Sequence, residues 1–224
     1  MKRVALAVAM LCLSAQTAAA ADDYRIASSK EAPPAGLAKA IVEKLEPASL
    51  KITKGENRTA AEIWLCREWP INPSFKPTSS ELYPFPVGEL VGAIRFKRKS
   101  ADFKGQEIPA GVYTLRYAQQ PVDGNHVGTS ITRDFLLLLP AEADTSPGPL
   151  DDKAVFKLSE KAAQASHPAV FSLVKPEGPA KDLPAMRHQQ KPERWIACFA
   201  GHGKANGKAH DLAVNLVIVG KGGE

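Results

Sequence analysis

The sequence predicts a mainly β protein, an antiparallel β-sandwich or jelly-roll-like fold carrying two short peripheral helices. Three observations lead there. Apolar and polar residues alternate at period two over much of the chain beyond residue 50. Clusters of Gly, Pro, Asn and Asp break these stretches at short intervals. Helical and strand patterns do not alternate as a parallel sheet requires, and no internal repeat is visible. The 44% hydrophobic share supplies a core and excludes disorder along the whole chain. A length of 224 residues suits one domain, placed at 36–220.

The first stretch lies outside that domain. Lys2 and Arg3 precede an unbroken apolar run over residues 4–13, and Ala18, Ala19, Ala20 and Ala21 follow. A positive start, an apolar centre and an A-x-A exit make residues 1–20 a signal peptide. The run is too short to span a bilayer, and Cys12 lies inside it rather than behind a small residue that would direct lipidation. No later stretch approaches about 18 uninterrupted apolar residues, so no transmembrane segment is expected after signal removal. The expected destination is secreted or periplasmic. Loss of the leader removes Cys12 and leaves Cys66 and Cys198, an even pair in an oxidising compartment. It also removes two cations from a net charge of +5, a balance too mild for a nucleic-acid partner.

Residues 21–35 read as an exposed lead-in. Leu37, Ala40, Ile41, Lys44 and Leu45 follow helical spacing and predict a short amphipathic helix, ended at Glu46 by Pro47. Residues 50–54 and 60–68 read as strands joined by the turn at 54–57, with Ile63 and Leu65 on one face and Trp64 and Cys66 on the other. In the strand at 87–98, Leu90, Ile94 and Phe96 oppose Arg95 and Lys97. In the strand at 111–119, Tyr113, Leu115 and Tyr117 point inward while Thr114 and Arg116 point outward. That is the alternation of antiparallel strands with one wet face. Residues 135–139 are continuously apolar, which predicts a strand buried on both faces.

Residues 140–149 form a loop. Asp151 starts the second helix, with Val155, Leu158, Ala162 and Ala165 in phase, ending near Ser166 and His167 because Pro168 disfavours a helical predecessor. Residues 169–174, 194–200 and 211–219 complete a list of about eight strands. The segment 175–192 between them reads as a polar, proline-rich loop, and residues 221–224 as a frayed tail.

The most distinctive stretch is Gly105-Gln106-Glu107-Ile108-Pro109-Ala110-Gly111-Val112-Tyr113-Thr114-Leu115. It resembles the G-x-x-I-P-A-G-x-Y-x-L signature of uncharacterised families of exported bacterial proteins, which constitute a domain of unknown function. The continuation from Arg116 to His126 resembles one branch of them. The resemblance spans roughly residues 60 to 140 and implies a β-sandwich without implying an activity. Physically the motif is a turn into a strand: Pro109 fixes φ, Gly111 permits an unusual backbone angle, and Tyr113 and Leu115 enter the core.

No G-x-S-x-G, H-E-x-x-H or C-x-x-C signature is present. The run Gly201-His202-Gly203-Lys204-Ala205-Asn206-Gly207-Lys208 has phosphate-loop composition at the wrong spacing, with Ala209 where a magnesium-binding hydroxyl belongs, and reads as a hairpin tip. Two loops are nominated for ligand contact, 69–86 and 123–134. In the first, Trp69, Phe75, Tyr83 and Phe85 either offer flat faces to a sugar or peptide or fold down to cap the sandwich. In the second, Asn125 and Arg133 supply polar contacts. An alternative gathers Asp123, His126, Asp134 and His167 around zinc or another divalent metal as a hydrolytic centre. Its bland counterpart is a tight turn at Asp123-Gly124 and an ion pair between Arg133 and Asp134. Cys66 and Cys198 either form a disulfide or stay free and buried. The basic residues Arg95, Lys97, Arg98, Lys99 and Lys104 either touch an anionic envelope surface or surround a solvated turn. The leading expectation is a non-catalytic module that binds a cell-envelope ligand or protein and needs no cofactor.

Overall fold

The computed structural model describes residues 23–122, 130–178 and 182–222. Its sheet begins earlier than the sequence suggests. β1 (Tyr24–Ser29) lies inside the expected lead-in and runs antiparallel to β2 (Ser49–Lys54), with Ile26 opposite Ile52. Tyr24 and Ile26 are the only large apolar residues of β1, too few to announce a strand by alternation. Between these strands, α1 (Lys39–Val42) is a single turn instead of the longer predicted helix. Leu45 leaves it to bridge Cys66, and the Glu46 N–H donates to the Leu65 carbonyl (2.8 Å). The predicted apolar face survives in part: Ile41 and Leu45 are fully buried and Leu37 is half-buried, but Ala40 is exposed.

The chain continues through β3 (Arg58–Leu65), the two-residue β4 (Trp69–Pro70), β5 (Leu90–Phe96), the hairpin β6 (Ser100–Ala101) and β7 (Glu107–Ile108), β8 (Gly111–Gln119) and β9 (Asp134–Pro140). Then follow α2 (Asp152–Ala163), β10 (Val170–Val174), β11 (Ala185–Gln190), β12 (Glu193–Ala205) and β13 (Lys208–Gly220). Asp151 caps α2 by accepting the Ala154 N–H, and the helix ends before Pro168 is reached because Gln164 adopts the left-handed conformation. β11 occupies the segment read as a polar loop. It is an edge strand with one hydrogen-bonded neighbour, so it carries no strict alternation.

The main sheet runs β1-β2-β3-β5-β8-β9-β10-β13-β12-β11, with β4 added parallel to β12. All other pairs of this sheet are antiparallel. The fold is mainly β, a sandwich-like arrangement made by curling one sheet. β10 is the corner. Val170 to Ser172 pair with β9, while Leu173 and Val174 pair with β13. The two ends of the sheet thereby come together: β1 approaches β11, and the Tyr24 ring centroid lies 5.3 Å from that of Trp195 on the neighbouring β12.

The core fills the space between the layers, with Trp64, Ile94, Leu115, Phe171, Phe199 and Leu216 among its buried members. β9 is buried on both faces, as its apolar run predicts. Leu136 and Leu138 enter the main core, while Phe135, Leu137 and Leu139 pack under Val155 of α2. In the G-x-x-I-P-A-G-x-Y-x-L stretch, Tyr113 and Leu115 are buried and the Tyr113 hydroxyl returns to the Pro109 carbonyl (2.9 Å). The left-handed glycine there is Gly105 at φ +81°; Gly111 instead leaves room for the Tyr113 ring. The C-terminal segment is held as far as Gly222, whose N–H donates to the Phe103 carbonyl (2.9 Å). Among the described residues no helix is long and apolar enough to cross a membrane.

Candidate functional site

Three of the four aromatic residues singled out in 69–86, Trp69, Tyr83 and Phe85, turn inward, while Phe75 is half-buried. The Trp69 indole N–H donates to the Val91 carbonyl (2.8 Å), and Phe85 meets the Trp69 ring edge-on at 5.3 Å. Tyr83 stacks on Phe85 at 5.9 Å; its hydroxyl donates to the Val174 carbonyl (2.7 Å) and accepts the Asn215 N–H (3.0 Å). Trp69, Tyr83 and Phe85 are all buried, so the reading of them as an open stacking platform is corrected. Their large apolar area is worth more inside than wet, and each polar tip finds a partner.

In the second nominated loop, Asp123, Asn125 and His126 lie outside the described residues. Arg133 is half-buried and pairs with Glu81, while its Nε donates to the Gln120 carbonyl (3.1 Å). The expected Arg133–Asp134 ion pair is therefore replaced. Asp134 is fully buried and accepts from the Tyr117 hydroxyl and from the Leu82 N–H (2.6 Å). Burial raises its pKa, and the hydrogen bonds from Tyr117, Leu82 and Gln119 oppose the rise. His167 is exposed beyond α2. Both Asp134 oxygens are thus taken by hydrogen bonds, and no three metal-ligating side chains converge among the described residues.

Cys66 and Cys198 are free thiols in different parts of the interior, which corrects the disulfide reading. Cys66 belongs to the main core and donates to the Leu90 carbonyl (3.3 Å). Cys198 packs in a separate cluster with Phe103, Val174, Ile196 and Val217. Burial, helped by the Glu89 charge, pushes the Cys66 thiol up to about 12 and keeps it protonated at neutral pH.

A different site emerges at one end of the sandwich. There β3 starts and β5 and β13 end, beside the Pro192 turn into β12, around a cavity of about 720 Å³. Its apolar wall includes the buried Ala61, Phe96 and Ile218, with Tyr24, Ala60 and Val219 at the sides. Phe96 is braced by Phe171 at 6.0 Å and Tyr113 at 6.2 Å, so this wall is backed by core.

The polar residues lining this cavity carry both signs of charge. Asp102 is buried, and its carboxylate accepts from the Lys104, Gln106 and Val170 N–H groups and from Gln106 Nε2, a set that clamps the β6–β7 hairpin to β10. Glu193 engages His188 (2.7 Å), and Lys99 pairs with Glu107 (2.8 Å). Arg58, Arg98 and Lys221 line the same cavity, all exposed and with no ion-pair partner among the described residues. Arg98 and Lys99 belong to the basic stretch visible in the sequence. Arg58 and Lys221 join them only through the fold, across more than half the chain.

A second cavity of about 420 Å³ is lined by Lys44, Cys66, Arg67, Glu89 and Lys204, beside Gly148 and its flanking prolines. Glu89 is buried and its pKa is raised by desolvation, against the pull of the Arg116 charge. A carboxyl favoured in its neutral form contributes stability in acid, below the usual Glu range. That contribution disappears as pH climbs through the raised value. Glu89→Gln is therefore expected to melt above wild type at about pH 8, with the difference closing by about pH 4. Scanning calorimetry across that range checks the sign, and an equal melting temperature at the alkaline end rejects it.

No family model, curated protein or solved structure matches the chain.

Proposed function

We propose that this protein is a non-catalytic ligand-binding β-sandwich of the cell envelope, secreted or periplasmic, and that the end cavity is its binding site. The observation that carries the reading is the cavity itself. Its volume of about 720 Å³ falls within the roughly 300–1,000 Å³ of small-molecule sites, and its apolar wall is joined by a few polar groups. The signal-peptide pattern at residues 1–20 supports action outside the cytoplasm.

Of the residues first nominated, Trp69, Tyr83 and Phe85 are core residues and Arg133 is held by Glu81, while Asn125 lies outside the described residues. A neutral apolar fluorophore such as N-phenyl-1-naphthylamine is expected to brighten on binding the purified protein. Ala60→Trp places an indole at the cavity wall and is expected to weaken that binding at least about tenfold. The melting temperature should stay near wild type, since Ala60 is only half-buried and Trp is a good strand residue. A silent fluorophore, or binding unchanged in Ala60→Trp, overturns the proposal.

A further inference from the structure

We infer that the end cavity is selective for amphiphiles of small-molecule size, with one anionic head and one apolar tail. The inference rests on the ligand-binding reading above and adds the chemical class. Its argument is the division of charge around the lining. The anions Asp102 and Glu193 are committed, the first to backbone and Gln106 donors and the second to His188. Among the cations, Lys99 alone is paired, with Glu107. Arg58, Arg98 and Lys221 are exposed and form no ion pair among the described residues, which leaves their donors open to a ligand. They come from the start of β3, the loop after β5 and the segment after β13, so the fold assembles a cationic rim that no local sequence run contains.

Lys221 is positioned by its surroundings. Its stem lies across Gly105, where an added Cβ would come within 3.2 Å of Lys221 Cε, and the next residue is pinned to Phe103. Behind the rim, Phe96, Ala61 and Ile218 present apolar surface with no donor or acceptor for a second polar group. A carboxylate, sulfate or phosphate head meets the guanidinium and ammonium groups, and the tail lies against the wall. A cationic head would face like charge, and a neutral head would forgo the charge-assisted bonds.

Calorimetric titration of the purified protein with decanoate, decyl glucoside and decyltrimethylammonium tests the class. Decanoate is expected to bind about tenfold more tightly than the glucoside, with the ammonium weakest. Shortening the tail from decanoate to octanoate should cost about fourfold per methylene. In the triple variant Arg58→Gln, Arg98→Gln, Lys221→Gln, decanoate should fall to the level of decyl glucoside, whose own binding stays unchanged. All three replaced residues are exposed, so the variant is expected to melt like wild type. Equal affinity for the three heads, or decanoate binding that survives the triple replacement, overturns the anionic class while the cavity remains a ligand site. Failure of all three, with N-phenyl-1-naphthylamine also silent, overturns both readings.

Discussion

Replacing Arg116 with methionine is expected to lower the free energy of unfolding by about 3–5 kcal/mol. Arg116 is fully buried, and its guanidinium uses all five of its N–H donors. Nε and Nη2 meet the two oxygens of the equally buried Asp144, each at 2.8 Å. Nη1 donates to the Gly88 and Gly148 carbonyls (3.0 and 2.6 Å), and Nη2 also reaches Ser146. Thr114 completes the set by donating its hydroxyl to Asp144. One side chain on β8 thus fastens the loop that follows β9. Its loss leaves a buried carboxylate without its cation and takes a donor from three carbonyls, of which Gly88 keeps the Leu150 N–H and Gly148 keeps the Ser146 hydroxyl.

The controls separate charge from packing. Arg116→Lys should recover little, because a compact ammonium has three donors and no planar fork to span Asp144. The double replacement Arg116→Met, Asp144→Leu should recover part of the loss, since the orphaned charge is gone but the guanidinium's bonds to the Gly88, Ser146 and Gly148 carbonyls are still missing. Urea denaturation of Arg116→Met, Asp144→Leu and the double variant gives the coupling directly. A single-variant loss below about 1 kcal/mol would show that the network is replaceable by ordinary packing.

Arg116 also marks where sequence reading stops. The alternation in Gly111–Gln119 correctly places Tyr113, Leu115 and Tyr117 inward, and all three are buried. It places Thr114 and Arg116 outward, and there the expectation of a wet face fails. Periodicity reports which residues share a face but is silent on what covers it. The cover is the loop after β9, a stretch of Pro, Ala and Asp with no periodicity of its own. The same reasoning accounts for β1 and β11. Each is an edge strand, and each carries too few apolar residues to be told from a loop. For the end cavity, Arg98 and Lys99 were visible as part of a basic stretch. Their meeting with Arg58 and Lys221 depends on the sheet curling at β10, which no local pattern encodes.

Trp69→Ala is expected to cost about 3–5 kcal/mol, the second large effect. The ring is fully buried against Phe85 and donates to Val91, so truncation opens a cavity and removes one of the two donors to the Val91 carbonyl, which keeps the Cys66 N–H. It also loosens β4, whose short parallel pairing sets Trp69 opposite Gly203. The space for the ring is made by Gly201: a Cβ there would fall 2.2 Å from Trp69 Cη2. Gly201→Ala in the wild-type protein is therefore destabilising, whereas in the Trp69→Ala background the added methyl meets open space and its cost should disappear or reverse. That change of sign, read by urea denaturation of both single variants and the pair, is a contact-specific signature that nonspecific strand disruption would not produce. The variants also divide stability from binding. Trp69 does not line the end cavity, so N-phenyl-1-naphthylamine should bind each folded Trp69→Ala molecule as it binds wild type. Fluorophore binding lost from folded Trp69→Ala would return the aromatic loop to the site. Binding retained there but weakened in Ala60→Trp leaves recognition to the end cavity and the tryptophan to the core.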